Sequence, residues 1–142
     1  MTGAPTPAAI FVNEGAGSAT SRAVRTAVGL VRRALDADLH VTATRDPLEL
    51  AAWMTERLAG YATVVIAGGD GSLGVAFNAV AERDVTLGYL PAGFGNATAH
   101  LLHLPRDPAG RAAVVAVGRA RPVDLVEANG RLALFAGAGW DA

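Results

Sequence analysis

Tyr61-Ala62-Thr63-Val64-Val65-Ile66-Ala67 runs straight into Gly68-Gly69-Asp70-Gly71-Ser72, and Leu73 to Glu82 follows. A continuous apolar run ended by glycines reads as a strand buried on both faces, the situation of strands inside a parallel sheet. Leu73 to Glu82 has helical character, so the glycines stand where a strand passes into a helix. With no Cβ at Gly68, Gly69 and Gly71, the backbone there can approach a ligand closely, and the N–H groups that open the helix favour an anion. Ser72 adds a hydroxyl donor to that cradle.

The same alternation extends in both directions. Ile10 to Val12 is a short strand, followed by the turn-rich Asn13-Glu14-Gly15-Ala16-Gly17-Ser18. From Ser21 to Leu35 the apolar residues Val24, Ala27, Val28, Val31 and Leu35 recur at helical spacing, with Arg22, Arg25, Arg32 and Arg33 on the opposite face. Leu39 to Ala43 is a second strand, and Pro47 to Ala59 a second helix with Pro47 in its first turn and Gly60 at its end. Val85 to Leu90 is a fourth strand, leading into Pro91-Ala92-Gly93-Phe94-Gly95-Asn96. Strands alternating with helices imply right-handed crossovers, hence an α/β fold: an open, mainly parallel sheet with helices on both faces. Val123 to Val126 and Arg131 to Phe135, around Asn129-Gly130, read instead as a β-hairpin. The expected organisation is a flexible tail over 1–9, an α/β domain over 10–122 and a β region over 123–142.

With 142 residues, 51% of them hydrophobic and 18% charged, the chain can bury a core as one domain. A net charge of −1 lacks the basic footprint of a nucleic-acid binder. The absence of cysteine excludes disulfides, thiolate metal sites and cysteine nucleophiles, and fits a reducing cytoplasm. Residues 1–9 lack the charged and apolar regions of a signal peptide, and no apolar stretch reaches the roughly 18 residues of a membrane span. A soluble cytoplasmic chain is expected, at most peripheral at the inner membrane face. The arginine face of the first helix suits anionic lipid, although such faces are more commonly just solvated.

In an open parallel sheet, ligands bind outside the carboxyl ends of the strands, which places all the glycine-rich loops on one edge. Asp70 sits among N–H donors, where a bare carboxylate would repel phosphate. Its position makes sense if it holds Mg²⁺ indirectly or orients an acceptor hydroxyl, which favours phosphoryl transfer over passive anion binding. The plain alternative is an Asp or Ser capping a helix in an ordinary turn. Gly69-x-Gly71-x-x-Gly74 has the form of a dinucleotide fingerprint, but it follows the third strand and no acidic residue ends the next one; a Walker lysine is absent too. Gly93, Gly95 and Asn96 are placed to close over the same ligand, with Asn96 capping the next helix or donating its amide to a phosphate oxygen. Asn13 and Thr44, at the ends of the first two strands, can supply side-chain hydrogen bonds, although such residues as often cap turns. His100 and His103 lie on successive helical turns without a third ligand nearby, which points to surface or packing roles.

Gly68-Gly69-Asp70-Gly71-Ser72 followed by Pro91-Ala92-Gly93-Phe94-Gly95-Asn96 resembles the catalytic domain of the diacylglycerol kinase family, which includes bacterial lipid kinases and sphingosine kinases. Asn13 with Gly15 and Gly17 resembles that family's first nucleotide loop, and Val123-Asp124-Leu125 through Gly139-Trp140-Asp141-Ala142 its passage into a second, mostly β domain. The resemblance implies a NAD kinase/diacylglycerol kinase-like fold and an ATP-dependent kinase that phosphorylates a lipid hydroxyl, with Mg²⁺ bridging the phosphates. It implies that Asp70 is the catalytic residue, the key acidic residue of the nucleotide loop, that Gly68, Gly69, Gly71 and Ser72 cradle phosphate, and that Asn13, Thr44 and Asn96 line the nucleotide site. The sequence departs from the family pattern at Glu14, where proline is usual, at Phe94, where a small hydroxyl residue is usual, at Val75, where glutamate is, and at Ala97, where aspartate is common. A NAD kinase-like enzyme and a non-catalytic nucleotide-binding module are the alternatives. An exposed sheet edge would also permit a homodimer.

Overall fold

The computed structural model describes residues 7–134; the expectations placed on residues 1–6 and 135–142, Trp140 among them, lie outside the described residues. Four strands form the sheet: β1 (Ala8–Asn13), β2 (Asp38–Thr42), β3 (Thr63–Gly68) and β4 (Thr86–Pro91). All pairings are parallel and the spatial order is β2-β1-β3-β4. The chain steps outward from β1 to β2, then crosses back over β1 to β3 and continues to β4. The direction of winding therefore reverses between β1 and β3, and the loops leaving those two strands part to form a crevice there.

The helices are α1 (Arg22–Leu35), α2 (Pro47–Thr55), α3 (Asp70–Val80), α4 (Ala97–Leu101) and α5 (Pro108–Val117). Alternate residues of a strand point to opposite faces, and the strands here are apolar on both. On one face Phe11, Val64, Ile66 and Tyr89 pack with Leu50 and Met54 of α2, Leu73 and Ala76 of α3, and Ala99 of α4. On the other, Ile10, Val12, Val65 and Leu90 pack with Ala27 and Val31 of α1 and Ala112 of α5. Each large side chain so buried contributes about 1.5–3 kcal/mol, which explains why the central strands β1 and β3 are nearly continuous in apolar residues. Ser21 caps α1, accepting a hydrogen bond from Val24 N at 3.3 Å, and Arg32 and Arg33 lie in its last turn, where the helix dipole favours cations.

Several boundaries differ from expectation. β1 begins at Ala8, which is buried and pairs with Thr63, so the sheet starts two residues earlier than the expected Ile10. α2 stops at Thr55 rather than Ala59, and Gly60, at φ +90°, turns the chain towards β3. α3 starts on Asp70 rather than Leu73, so Asp70-Gly71-Ser72 is the first turn of the helix itself. Glycine disfavours helix by about 1 kcal/mol, but the packing of Leu73 and Ala76 outweighs that local preference. The helix α5 is an addition to the elements expected from the sequence, although Asp107-Pro108 starts it in the usual way: Asp107 accepts from Gly110 N at 2.7 Å and Pro108 occupies the first turn.

The hairpin consists of β5 (Val126–Ala128) and β6 (Arg131–Ala133), paired antiparallel. Asn129 and Gly130 both take positive φ, as a two-residue turn of this twist requires. Its first arm begins at Val126, so the segment from Val123 lies outside the strand. Asn78 of α3 ties the hairpin down, donating to Leu132 O at 2.9 Å and accepting from Leu132 N at 2.9 Å.

Candidate functional site

A cleft of about 380 Å³ opens at the carboxyl edge of the sheet. Its walls come from the loop after β1 (Asn13, Gly15, Gly17), the loop after β2 (Thr44, Arg45), the start of α3 (Gly69, Gly71, Ser72) and the loop after β4 (Gly93, Phe94). Leu50 and Val75 supply apolar lining from α2 and α3. Arg45 and Leu50 are additions to the expected site residues: Arg45 follows Thr44 on a strand-end loop, a place that signals it, whereas Leu50 carries no signal in the sequence alone.

Asn13 holds these loops together. Its amide nitrogen donates to Thr44 O at 3.0 Å and to Ser72 Oγ at 3.1 Å, while Oδ1 accepts from Gly15 N at 3.0 Å and Thr44 N at 3.2 Å. By bonding both backbone groups of Thr44, the side chain extends the β1–β2 ladder past the strand end. Ser72 is buried and accepts from Asn13, which leaves its own proton available to donate. The Thr44 hydroxyl is already engaged: it donates to Glu49 Oε2 at 2.7 Å and accepts from Asp46 N at 3.1 Å, closing the start of α2.

The two glycine-rich loops meet backbone to backbone. A Cβ on Gly93 would lie 2.8 Å from Gly69 Cα, closer than real Cβ atoms come to such an atom. A Cβ on Gly71 would meet nothing within 4 Å, so the first turn of α3 faces open space. Gly95 is likewise open, whereas Gly68 ends β3 beneath Ser72, where a Cβ would lie 2.7 Å from that residue's own Cβ.

Asp70 does something the sequence did not announce. Its carboxylate reaches across to α4, Oδ2 accepting from Ala97 N at 2.8 Å and Oδ1 from Thr98 N at 3.0 Å. An acid in the first turn of one helix thus caps the start of another. Asn96, expected to cap α4, does not: at φ +50° its side chain folds back on its own loop, accepting from Gly93 N and donating to Gly93 O, both at 2.8 Å. The left-handed backbone turns the amide away from the helix, and Asp70 fills the vacant role.

Below this region lies Tyr89, whose buried hydroxyl has no hydrogen-bond partner among the described residues. Burial raises its pKa far above the ordinary phenol value, and the charge of Asp70 adds to that, with Arg111 acting in the opposite sense; the hydroxyl faces the Asp70 carboxylate closely enough to add a little more, but short of a well-formed hydrogen bond. Among the described residues no three His, Cys, Asp or Glu side chains gather as a metal site. Asp46 lines the cleft on the side of α2. Asp70 lies between Gly69 and Gly71 of the cleft wall, and each of its oxygens keeps a lone pair beyond the N–H it accepts. Such a carboxylate suits a Mg²⁺ held mainly by phosphate oxygens and water.

Residues 7–128 match the family model for the diacylglycerol kinase catalytic domain, and the chain belongs to that family. It is 32% identical over 126 residues to a Klebsiella pneumoniae protein named "Probable lipid kinase YegS-like", covering 87% of this chain and 42% of that relative. A Pseudomonas aeruginosa protein of the same name is 39% identical over 114 residues, covering 78% of this chain and 37% of its own. Among solved structures, a diacylglycerol kinase from Bacillus anthracis strain Sterne superposes with a TM-score of 0.70 at 25% identity, over 89% of this chain and 47% of that one. The chain thus spans about two fifths of the length of these curated relatives. The NAD kinase-like alternative yields to this family match.

Proposed function

We propose that the chain forms the nucleotide-binding part of an ATP-dependent lipid kinase of the diacylglycerol kinase type, which transfers the γ-phosphoryl group of ATP to a lipid hydroxyl. The observation that carries this reading is the convergence of three strand-end loops on the open first turn of α3, where Gly71 leaves room for a ligand against unfilled helix N–H groups. Phosphate oxygens would be received by the backbone at Gly69, Gly71 and Ser72 and by the Ser72 hydroxyl. Asn13 and Asn96 act at one remove, holding the loops of Gly15, Thr44 and Gly93 in place. Gly17 and Gly95 belong to the same loops, and Gly68 sets the exit of β3. Phosphoryl transfer asks mainly for positioning and charge neutralisation, which such a rigid cradle supplies. Mg²⁺, when bound, would neutralise the phosphates; Asp70 would meet it through water while keeping its grip on α4.

Surface features extend the proposal. Arg22, Arg25, Arg32 and Arg33 are all exposed on α1, which supports peripheral contact with an anionic membrane face from the cytoplasm. No helix among the described residues is long and apolar enough to cross a membrane. The β2 edge, with Leu39 and Val41 part-exposed, supports a homodimer formed by edge pairing. The hairpin supports residues 123–142 as a passage from the α/β unit into further β structure.

Calorimetry with ATP and Mg²⁺ tests the reading, with Gly71→Asp and Asp70→Ala as controls. Magnesium-dependent binding by the wild type, lost in both variants, is expected; no binding by a folded wild type would overturn it. A binding module without turnover is the second reading, favoured by the commitment of Asp70 to α4. ATP binding without lipid phosphorylation, even with a family-like second domain supplied, would establish that reading instead.

A further inference from the structure

Phe94 is 93% exposed, the most exposed large apolar side chain among the described residues. It is also the one aromatic residue lining the cleft. The ring is nevertheless positioned. A Cβ built on Gly17 would lie 2.5, 2.6 and 2.8 Å from Cε2, Cδ2 and Cζ of Phe94, near-equal distances to three adjacent ring atoms that only a position over the ring gives, so one face of the ring lies against Gly17. The side chain thus reaches from the loop after β4, past the loop after β3, to the loop after β1, and stands over the crevice where the strand order reverses. Contact through one face leaves the opposite face open to water.

An apolar ring kept in water at the mouth of a cleft gains most by being covered with another flat apolar surface. The residue before it, Gly93, abuts Gly69 at the start of α3, so the ring begins one residue from the proposed phosphate cradle. A ligand that anchors an anionic end on that cradle and carries a flat ring at its other end matches both features. We propose that Phe94 is a stacking platform for the base of the bound nucleotide and sets a preference for ligands with an aromatic ring over bare polyphosphate. This inference rests on the nucleotide reading of the cleft.

The test compares Mg²⁺-ATP with inorganic tripolyphosphate, by calorimetry, in the wild type, Phe94→Ala and Phe94→Trp. Because base–aromatic stacking is worth on the order of tenfold or more in affinity, Phe94→Ala should weaken ATP about tenfold and leave tripolyphosphate unchanged. Phe94→Trp should retain ATP binding, and its added indole fluorescence should respond to ATP but not to tripolyphosphate. Equal effects of Phe94→Ala on both ligands, or no effect on either, would overturn the stacking role while leaving the phosphate cradle standing. Loss of binding to anionic phospholipid vesicles with ATP affinity intact would overturn it in favour of a bilayer contact. A wild type that binds neither ligand would overturn the nucleotide reading itself, and the stacking role with it.

Discussion

Replacing Asp70 by alanine removes the side-chain oxygens that meet Ala97 N and Thr98 N, at 2.8 and 3.0 Å. The two amides differ in their access to water. Ala97 is exposed, so water can take over its N–H at a cost of about 0.5 kcal/mol, whereas Thr98 is 3% exposed and its N–H would be left dry, at about 1–2 kcal/mol. The sum is about 2 kcal/mol. Asparagine keeps one acceptor but presents an NH₂ group to the other amide, so Asp70→Asn should lose about half as much. For a chain of this length 1 kcal/mol shifts Tm by about 4 °C, which places Asp70→Ala roughly 8 °C below wild type. The loss should also be local, because a helix of five residues has no stability of its own. Native-state hydrogen exchange at Thr98 should therefore accelerate about thirtyfold in Asp70→Ala, while β1 and β3 amides change only with global stability. Urea melts of Asp70→Ala within about 0.3 kcal/mol of wild type, or unchanged protection at Thr98, would refute the capping role and return Asp70 to the cleft as a group free for chemistry.

Asn13→Ala should cost about 3 kcal/mol in urea denaturation, since it strips four hydrogen bonds from a buried residue; Asn13→Asp should be nearly as harmful, because a carboxylate cannot donate to Thr44 O or Ser72. Gly93→Ala and Gly71→Ala should part company: the first forces the loops apart at a 2.8 Å approach and destabilises by about 1–3 kcal/mol. The second meets no atom within 4 Å and should fold at least as stably as wild type, yet weaken Mg²⁺-ATP in calorimetry by about tenfold or more as its methyl enters the phosphate space. Tyr89→Phe should stay within about 1 kcal/mol of wild type, because the buried hydroxyl it deletes has at most a poorly formed contact with Asp70. Its pH dependence has a definite sign. The native phenol keeps a proton that the unfolded chain releases near the ordinary pKa of about 10, so wild-type stability is full below that pH and falls as pH rises above it. Denaturation at about pH 8 and 10.5 should show a shallower alkaline loss in Tyr89→Phe, with a remainder from Tyr61, whose pKa is raised chiefly by its bond to Asp38.

What the sequence alone determined was local in origin. The apolar run of Tyr61–Ala67, the 3.6-residue spacing of Val24, Ala27 and Val31, and the glycines after each strand are properties of stretches about ten residues long. Backbone sterics and burial convert them directly into strands, helices and loops. The alternation of those elements was then enough to place the loops on one edge, because parallel crossovers leave little choice of topology. Only the tertiary structure decided the rest. Asn13 meets Ser72 across 59 residues, Asp70 meets Thr98 across 28, and Asn78 meets Leu132 across 54. None of these pairs has a local pattern, since each partner is a polar residue or a backbone group that could satisfy itself in many ways. Asp70 could equally have capped its own helix, and Asn96 the helix after it. The order β2-β1-β3-β4 brings the two glycine-rich loops into contact at Gly69 and Gly93, and that approach puts the α4 amides within reach of Asp70 while Asn96, in a left-handed turn, is directed elsewhere.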